Sequence, residues 1–269
     1  MTLLNDSMEW RHRTPKTRLL LWVFWMLLVA LFVWCWNVMT ENTMWVFVYD
    51  APTAAADLLD RAFPPRWEYM NRLWKPLWDT INMATLGTLL GIVMAVPLAF
   101  LAASNNTPSR LILRPFALLC IVASRSINSL IWALLLVSIL GPGLLAGILA
   151  IAFRSIGFIG KLLYEAIEET DVSQIEAITA TGASRGQILS YGIVPQVLPA
   201  FYGISVFRWD INIRESAILG LVGAGGIGAQ LQASMNVLAW PQVTLIILVV
   251  LATVVFSEWV SANVRKAVI

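Results

Sequence analysis

Long uncharged apolar runs alternate along the chain with short charged or proline- and glycine-rich breaks. A charge at the centre of a lipid-facing helix costs about 2.5–3.5 kcal/mol, so charge-free intervals mark segments able to cross a bilayer. Between Arg18 and Glu41 this pattern predicts a first helix over 19–38. No residue from Thr80 to Ser109 is charged, and a second helix is expected over 78–103, ending at the polar Ser104-Asn105-Asn106-Thr107-Pro108. A third, over 112–140, contains Arg125 and stops at the helix-breaking Gly141-Pro142-Gly143. A fourth, over 144–165, contains Arg154, a fifth runs from Pro195 to 222, and a sixth from Pro241 to Val260. The uncharged stretch Ser216–Ser257 is too long for one span and is expected to break at Gly223-Ala224-Gly225-Gly226-Ile227-Gly228.

The first run follows Arg11, Arg13, Lys16 and Arg18, as a secretory signal would. It is longer than the roughly 7–15 apolar residues of a signal core, and Trp34-Cys35-Trp36 stands where a small-residue cleavage site belongs, so a retained helix is expected. Six spans put both termini on one side of the membrane. That side gathers the basic tail, Arg110, Arg114, Lys161, Arg185, Arg265 and Lys266, which makes it cytoplasmic by the positive-inside rule. The outer loop 39–77 mixes Trp45, Tyr49, Trp67, Tyr69 and Trp74 with Pro64-Pro65, a composition suited to an element lying at the interface.

Composition agrees with lipid as the solvent. Of 269 residues, 59% are hydrophobic and 13% charged, with a mean hydropathy of +0.76; a soluble domain carries about 25% charged residues. The expected class is an all-α polytopic membrane protein. A net charge of +2 excludes a strongly basic nucleic-acid binder. Cys35 and Cys120 lie in apolar runs, which excludes a disulfide scaffold or a structural zinc site. The single histidine, His12, sits in the basic tail, and no carboxylates pair on one predicted span. With no Ser-Lys dyad either, the chain offers neither an enzyme's catalytic residues nor a metal site.

One segment is aqueous: Glu165, Glu168, Glu169, Asp171 and Glu176 crowd between the fourth and fifth spans. A short amphipathic helix over 172–181, ended by Gly182, suits a knob that fits a groove on a soluble partner. Small side chains at Ala177, Ala180 and Ala183 permit close approach; an ordinary capped inter-helix loop would read the same way.

The run Glu176-Ala177-Ile178-Thr179-Ala180-Thr181-Gly182-Ala183-Ser184-Arg185, continuing to Val194-Pro195, resembles the EAA motif of ABC importer permeases. Glu176, Ala177, Gly182 and Pro195 match its register, while Ile178 replaces the second Ala and Val194 the Leu before Pro. Further segments widen the resemblance: Arg125-Ser126-Ile127-Asn128, Gly160-Lys161-Leu162, Tyr191-Gly192 with Pro195-Gln196-Val197-Leu198-Pro199, then Arg208, Asn212, Arg214 and Val222 to Gly228. Over roughly 76–266 the chain is similar to the permease subunit of phosphonate/phosphite-type ABC importers.

That resemblance implies the type I importer fold with about six transmembrane helices, in three parts. These are a cytoplasmic tail 1–18, a first helix and outer loop 19–75, and a transmembrane domain 76–266 that includes a coupling segment 166–190. It also implies partners: a second copy of the chain, two ATP-binding subunits inside, and a solute-binding protein outside, all at a bacterial inner membrane. ATP and Mg are then bound by the ATPase partner, and Glu176, Ala177, Thr181, Gly182, Ala183 and Arg185 contact it.

Two glycine motifs invite other readings. Gly223-x-Gly225-x-x-Gly228 fits a dinucleotide fingerprint by letter, but it follows a membrane helix and no acidic residue occurs before Glu258. Irregular backbone at the outer end of the fifth helix, facing protein or a water-filled path, is the expectation for Gly223, Gly225, Gly226 and Gly228. Gly160-Lys161 lacks the rest of a P-loop.

Four arginines fall inside predicted spans. At 100° per residue, Arg208, Asn212 and Glu215 share one face of the fifth helix, with Asp210 and Arg214 roughly opposite. Arg125 and Arg154 have no acidic residue within ten positions and sit at similar depth, about 15 Å from the cytoplasmic face. Doubled by a dimer, they would form a cationic collar for a tetrahedral oxyanion, with Asn128 one turn from Arg125 adding a hydrogen bond. Pairing of Arg125 or Arg154 with Asp210 is the structural alternative. The substrate pathway is thus expected to draw on Arg125, Asn128, Arg154, Arg208, Asn212 and Arg214. A permease for methionine or a metal, or a stand-alone channel or carrier, stays open at this point.

Overall fold

The computed structural model describes residues 15–41 and 43–268; Arg11, His12, Arg13 and the rest of the expected tail before Pro15 lie outside the described residues. Every regular element among the described residues is helical. The chain divides into two units, one up to Asp57 and one from Leu58.

In the first unit, α1 (Pro15–Thr40) exposes its apolar side chains along its length, Leu20, Trp22 and Trp34 among them. Its 26 residues reach about 39 Å, more than the roughly 30 Å of a hydrocarbon core. The stretch expected as an outer loop is largely helical. Helix α2 (Trp45–Ala62) starts in the first unit and ends in the second, and contains Pro52 and the strongly helix-forming Ala54-Ala55-Ala56.

In the second unit, α3 (Met70–Ala102) begins well before the expected 78. Its early charges lie on the outside while Leu73 beside them is buried, so they mark where the helix leaves the hydrocarbon and not where it starts. The expected third helix is two: α4 (Leu113–Ser126) and α5 (Ser129–Leu140), bent by 89°. Ile127 is extended, and the Asn128 side chain caps α5 by accepting from the Leu130 N–H at 3.1 Å. At 14 and 12 residues, neither half reaches across a bilayer alone. Helix α6 (Leu144–Glu168) follows the glycine-proline turn.

The aqueous segment folds as expected, into α7 (Val172–Ala180) with Asp171 at its N-cap and Gly182 at φ +82° after its end. A single turn α8 (Arg185–Gln187) and a π-helical run Ile188–Ile193 lead without a break into α9 (Val194–Leu219). The chain breaks at the glycine cluster, but a short helix α10 (Gly226–Asn236) intervenes before the last, α11 (Trp240–Val268). Among the described residues, five helices are long and apolar enough to span a membrane, or six spans if the bent α4–α5 pair is one.

The core of this unit is α3 against α6 and α9. Glycines let α3 and α6 touch: a Cβ on Gly91 would lie 2.6 Å from Ser155 Cβ. Polarity is inverted relative to a soluble protein. Thr88, Ser155, Arg208 and Asn212 are buried, whereas Val93, Phe256 and Trp259 are exposed.

Candidate functional site

Buried polar groups from α3, α6 and α9 meet at mid-height. Arg208 donates from Nε to Ser155 Oγ at 3.0 Å, and Asn212 donates from Nδ2 to the same Oγ at 3.1 Å and to Thr88 Oγ1 at 2.7 Å. Thr88 in turn donates to the Ala84 carbonyl. The Arg208 guanidinium stands 5.2 Å over the Phe158 ring. Its side chain is 2% exposed, and an unpaired charge there would be costly. Glu215 on the same α9 face supplies the countercharge, with Oε2 at 3.5 Å from Arg208 Nη2 and Oε1 at 3.6 Å from Arg154 Nε.

Arg154 therefore pairs with Glu215, and not with Asp210 as the structural alternative had it. Asp210 instead holds Arg214 at 2.5 Å and accepts from Ser257 Oγ of α11 at 2.6 Å. The two α9 faces separate as helix geometry requires: Arg208, Asn212 and Glu215 toward α3 and α6, Asp210 and Arg214 away from them. Arg214 is thus not gathered with the other arginines.

Two clefts adjoin Arg154. One, of about 400 Å³, is lined by Asn128, Ser129, Ile131, Arg154 and Glu215 among others. The other, of about 350 Å³, is lined by Arg125, Arg154, Phe158, Lys161 and Glu165. Arg125 and Arg154 thus share a cleft although they come from different helices. Lys161 and Glu165 neutralise each other at 3.4 Å, leaving the arginines as its net charge. Arg125 closes the last turn of α4, a favourable end for a cation. Asn128 does not stand one turn from Arg125 on a common helix. It lies beyond the break, with its side-chain oxygen engaged by the Leu130 amide and the Ser129 hydroxyl.

The glycine loop is held on both sides. Gly223, Gly225 and Gly226 have φ of +93°, +85° and +70°, conformations that favour glycine. The Gly223 carbonyl accepts from the Gly143 N–H at 3.0 Å, and the Ile227 N–H donates to Thr80 Oγ1 at 2.8 Å. Gly228 packs so closely on the Ala217 carbonyl and Gly220 that a Cβ has no room. The loop therefore fastens the start of α10 to α3 and to the α5–α6 turn.

At the other end, α7 turns Ile175 and Ile178 inward onto Gly192, leaving Glu176, Ala177 and Thr181 exposed, with Arg185 also exposed and Ala183 half-buried. The Asp171 carboxylate accepts from the Ser173 hydroxyl and then from its backbone N–H, which together hold its pKa below the usual carboxylate value.

Sequence reasoning missed Ser155, Thr88 and Phe158, and did not bring Glu215 to Arg154. The available signal was small polar residues inside apolar runs on the α3- and α6-facing sides. The break at Asn128 was signalled by an Asn-Ser pair of the kind that starts helices.

Residues 87–269 match the family model described as a binding-protein-dependent transport system inner membrane component. The chain is 37% identical over 211 residues to the phosphite transport system permease protein PtxC of Stutzerimonas stutzeri, covering 78% of this chain and 76% of that protein. It is 40% identical over 222 residues to the phosphate-import permease protein PhnE of Mycolicibacterium smegmatis, covering 80% of this chain but only 42% of that protein. Among solved structures, a chain of the inward-facing MetNI methionine ABC transporter shares the fold with a TM-score of 0.66 and 22% identity, over 76% of this chain and 99% of that one.

Proposed function

We propose that this chain, which belongs to the family of binding-protein-dependent transport system inner membrane components and has the type I ABC importer permease fold, carries a phosphorus oxyanion such as phosphite, a phosphonate or phosphate. One observation carries the choice of an anion: Arg125 and Arg154 line clefts whose two carboxylates are Glu165, paired with Lys161, and Glu215, shared between Arg154 and the buried Arg208, so the cluster keeps an excess of positive charge. Guanidinium forks suit the paired oxygens of a phosphorus oxyanion, and a dimer of the chain would double them.

In this reading the transmembrane domain 76–266 works with a second copy, two ATP-binding subunits and an external solute-binding protein, in a bacterial inner membrane with both termini cytoplasmic. ATP and Mg belong to the ATPase partner, and this chain does no chemistry of its own. The exposed face of α7, with Glu176, Ala177, Thr181, Gly182, Ala183 and Arg185, is the ATPase contact. Closure of the ATPases pushes α7, and the helices rooted beside it tilt to open the path outward; release reverses the tilt. Gly223, Gly225, Gly226 and Gly228 border the outer end of that path. High-affinity selection rests with the external protein, since a site that holds its solute too tightly cannot pass it on.

The test is ATP hydrolysis and uptake by the reconstituted complex, comparing phosphite, methylphosphonate, 2-aminoethylphosphonate and phosphate, with methionine as a contrasting solute. Stimulation by one of the phosphorus anions is expected. Stimulation by methionine alone removes the oxyanion reading, and uptake that needs no ATPase removes the importer reading.

A further inference from the structure

Glu215 uses its two oxygens on two different arginines, and the two contacts are unequal in their surroundings. Arg208 is 2% exposed and tied down by Ser155, by Glu215 and by the Phe158 ring. Arg154 is 29% exposed and, among the described residues, has Glu215 at 3.6 Å as its recorded ion-pair partner. Both separations, 3.5 Å to Arg208 and 3.6 Å to Arg154, exceed the usual 2.7–2.9 Å of a charge-assisted hydrogen bond, so the difference between the two arginines lies in burial and in the further contacts that hold Arg208. Arg154 also borders both clefts, one shared with Glu215 and Asn128 and the other with Arg125. The carboxylate is thus shared between an arginine fixed by burial and by its other contacts and a more exposed one that stands between two chambers.

We propose that Glu215 is an internal counter-anion that the transported oxyanion displaces from Arg154, so that each passage is an exchange of ion pairs. This rests on the oxyanion reading above. With the path empty, Glu215 keeps Arg154 from standing as an uncompensated charge at membrane depth. When the solute arrives, the Arg154 fork turns to it while Glu215 stays on Arg208. Arg154, Arg208 and Glu215 together carry one excess positive charge, and Arg125 in the shared cleft adds another, so the site keeps a net attraction for an anion while Glu215 is present. When the solute moves on toward Arg125, Glu215 recaptures Arg154 and helps to expel it. Glu215 therefore sets affinity by competition.

The experiment measures phosphite binding to the detergent-purified permease–ATPase complex and phosphite uptake by the complete reconstituted system. Glu215→Gln removes the competitor while keeping the side chain's size. It is expected to bind phosphite roughly tenfold more tightly, the scale on which close charge pairs couple, and to turn over more slowly. A Glu215 that only holds the fold would weaken both. Glu215→Asp, whose shorter arm lengthens the Arg154 contact, should shift binding in the same direction by less, and serves if Glu215→Gln does not assemble. Phosphite binding that stays unchanged or weakens in an assembled variant overturns the exchange. A parent complex that transports a phosphorus anion with no tightening in either variant sinks the exchange alone, whereas a parent that ignores every phosphorus anion sinks the oxyanion reading as well.

Discussion

Arg114, at the start of α4, reaches Glu168, at the end of α6, with Nη2 at 3.2 Å from Oε1. The same Glu168 oxygen accepts from the Ser104 N–H at 2.7 Å, and Arg114 Nε donates to the Ala102 carbonyl at 3.1 Å. Asn105 adds a bond from Nδ2 to the Ile167 carbonyl at 2.7 Å. The connection from α3 to α4 is thereby lashed to the point where α7 begins, so a push on α7 is passed to α4 and to Arg125 at its far end. The pair is about one-third exposed, and such pairs contribute about 0–1 kcal/mol. Glu168→Gln is therefore expected to leave thermal stability nearly unchanged but to lower the amount of solute imported per ATP hydrolysed. An unaltered ratio in proteoliposomes would remove the link.

Reversing the charge at Glu176 tests the docking face. The residue is exposed, so Glu176→Lys should fold and insert normally. Co-purification of the ATPase and ATP-coupled uptake should both fall; full coupling in this variant would count heavily against the assignment.

Arg125 and Arg154 share a cleft, and their charge should matter more than their shape. Replacing either by Ala is expected to cut uptake at least about tenfold, and Lys should restore part of it because it keeps the charge but loses the planar fork. Unimpaired uptake in all of these variants would dismiss the cationic path.

Helix α4 is held against α6 by Gly157, where a Cβ would lie 2.6 Å from the Arg125 amide nitrogen and from the Ile121 carbonyl. These are backbone atoms and cannot swing aside. Gly157→Ala should cost about 1–3 kcal/mol, visible as a lower melting temperature in detergent, and should impair uptake by moving Arg125. Melting at the parent temperature would show that α4 is free to shift.

Asp171 caps α7 as a carboxylate, and its hydrogen bonds from Ser173 depress its pKa. A depressed carboxyl stabilises the helix above the ordinary carboxylate pKa, and the contribution disappears as pH falls through the lower folded value. Protection of the α7 amides, measured relative to the intrinsic exchange rate at each pH, should accordingly be high at neutral pH and fall in acid. Asp171→Ala should lower the protection at neutral pH, with the difference from the parent shrinking as the pH falls through the folded value.

Features encoded in adjacent residues were legible before any coordinates. The position of α7 follows from Asp171 at one end and Gly182 at the other, and the end of α9 from the glycine cluster, because caps and breakers act within one or two turns. Charge-free intervals put the start of α3 too late, because Arg72, Lys75 and Asp79 sit within the helix and a helix carries charges wherever its face is not packed. The 89° break between Ser126 and Ser129 carries only the Asn128-Ser129 cap as a local signal, with neither Gly nor Pro to mark it and apolar runs on both sides.

The chain's own pattern of charges was enough to put it in lipid, to count its spans to within the bent pair, and to sort the α9 residues onto two faces, since each of these depends on local spacing. Which charge meets which was decided only in three dimensions. Arg154 finds Glu215 across the α6–α9 contact, Arg125 joins Arg154 in one cleft after the chain has turned at Asn128, and Asp210 is taken by Arg214 and Ser257. At membrane depth a countercharge is too valuable to remain unshared, and the helix that brings one near is set by packing between small residues such as Gly91 and Ser155, which no sequence spacing specifies.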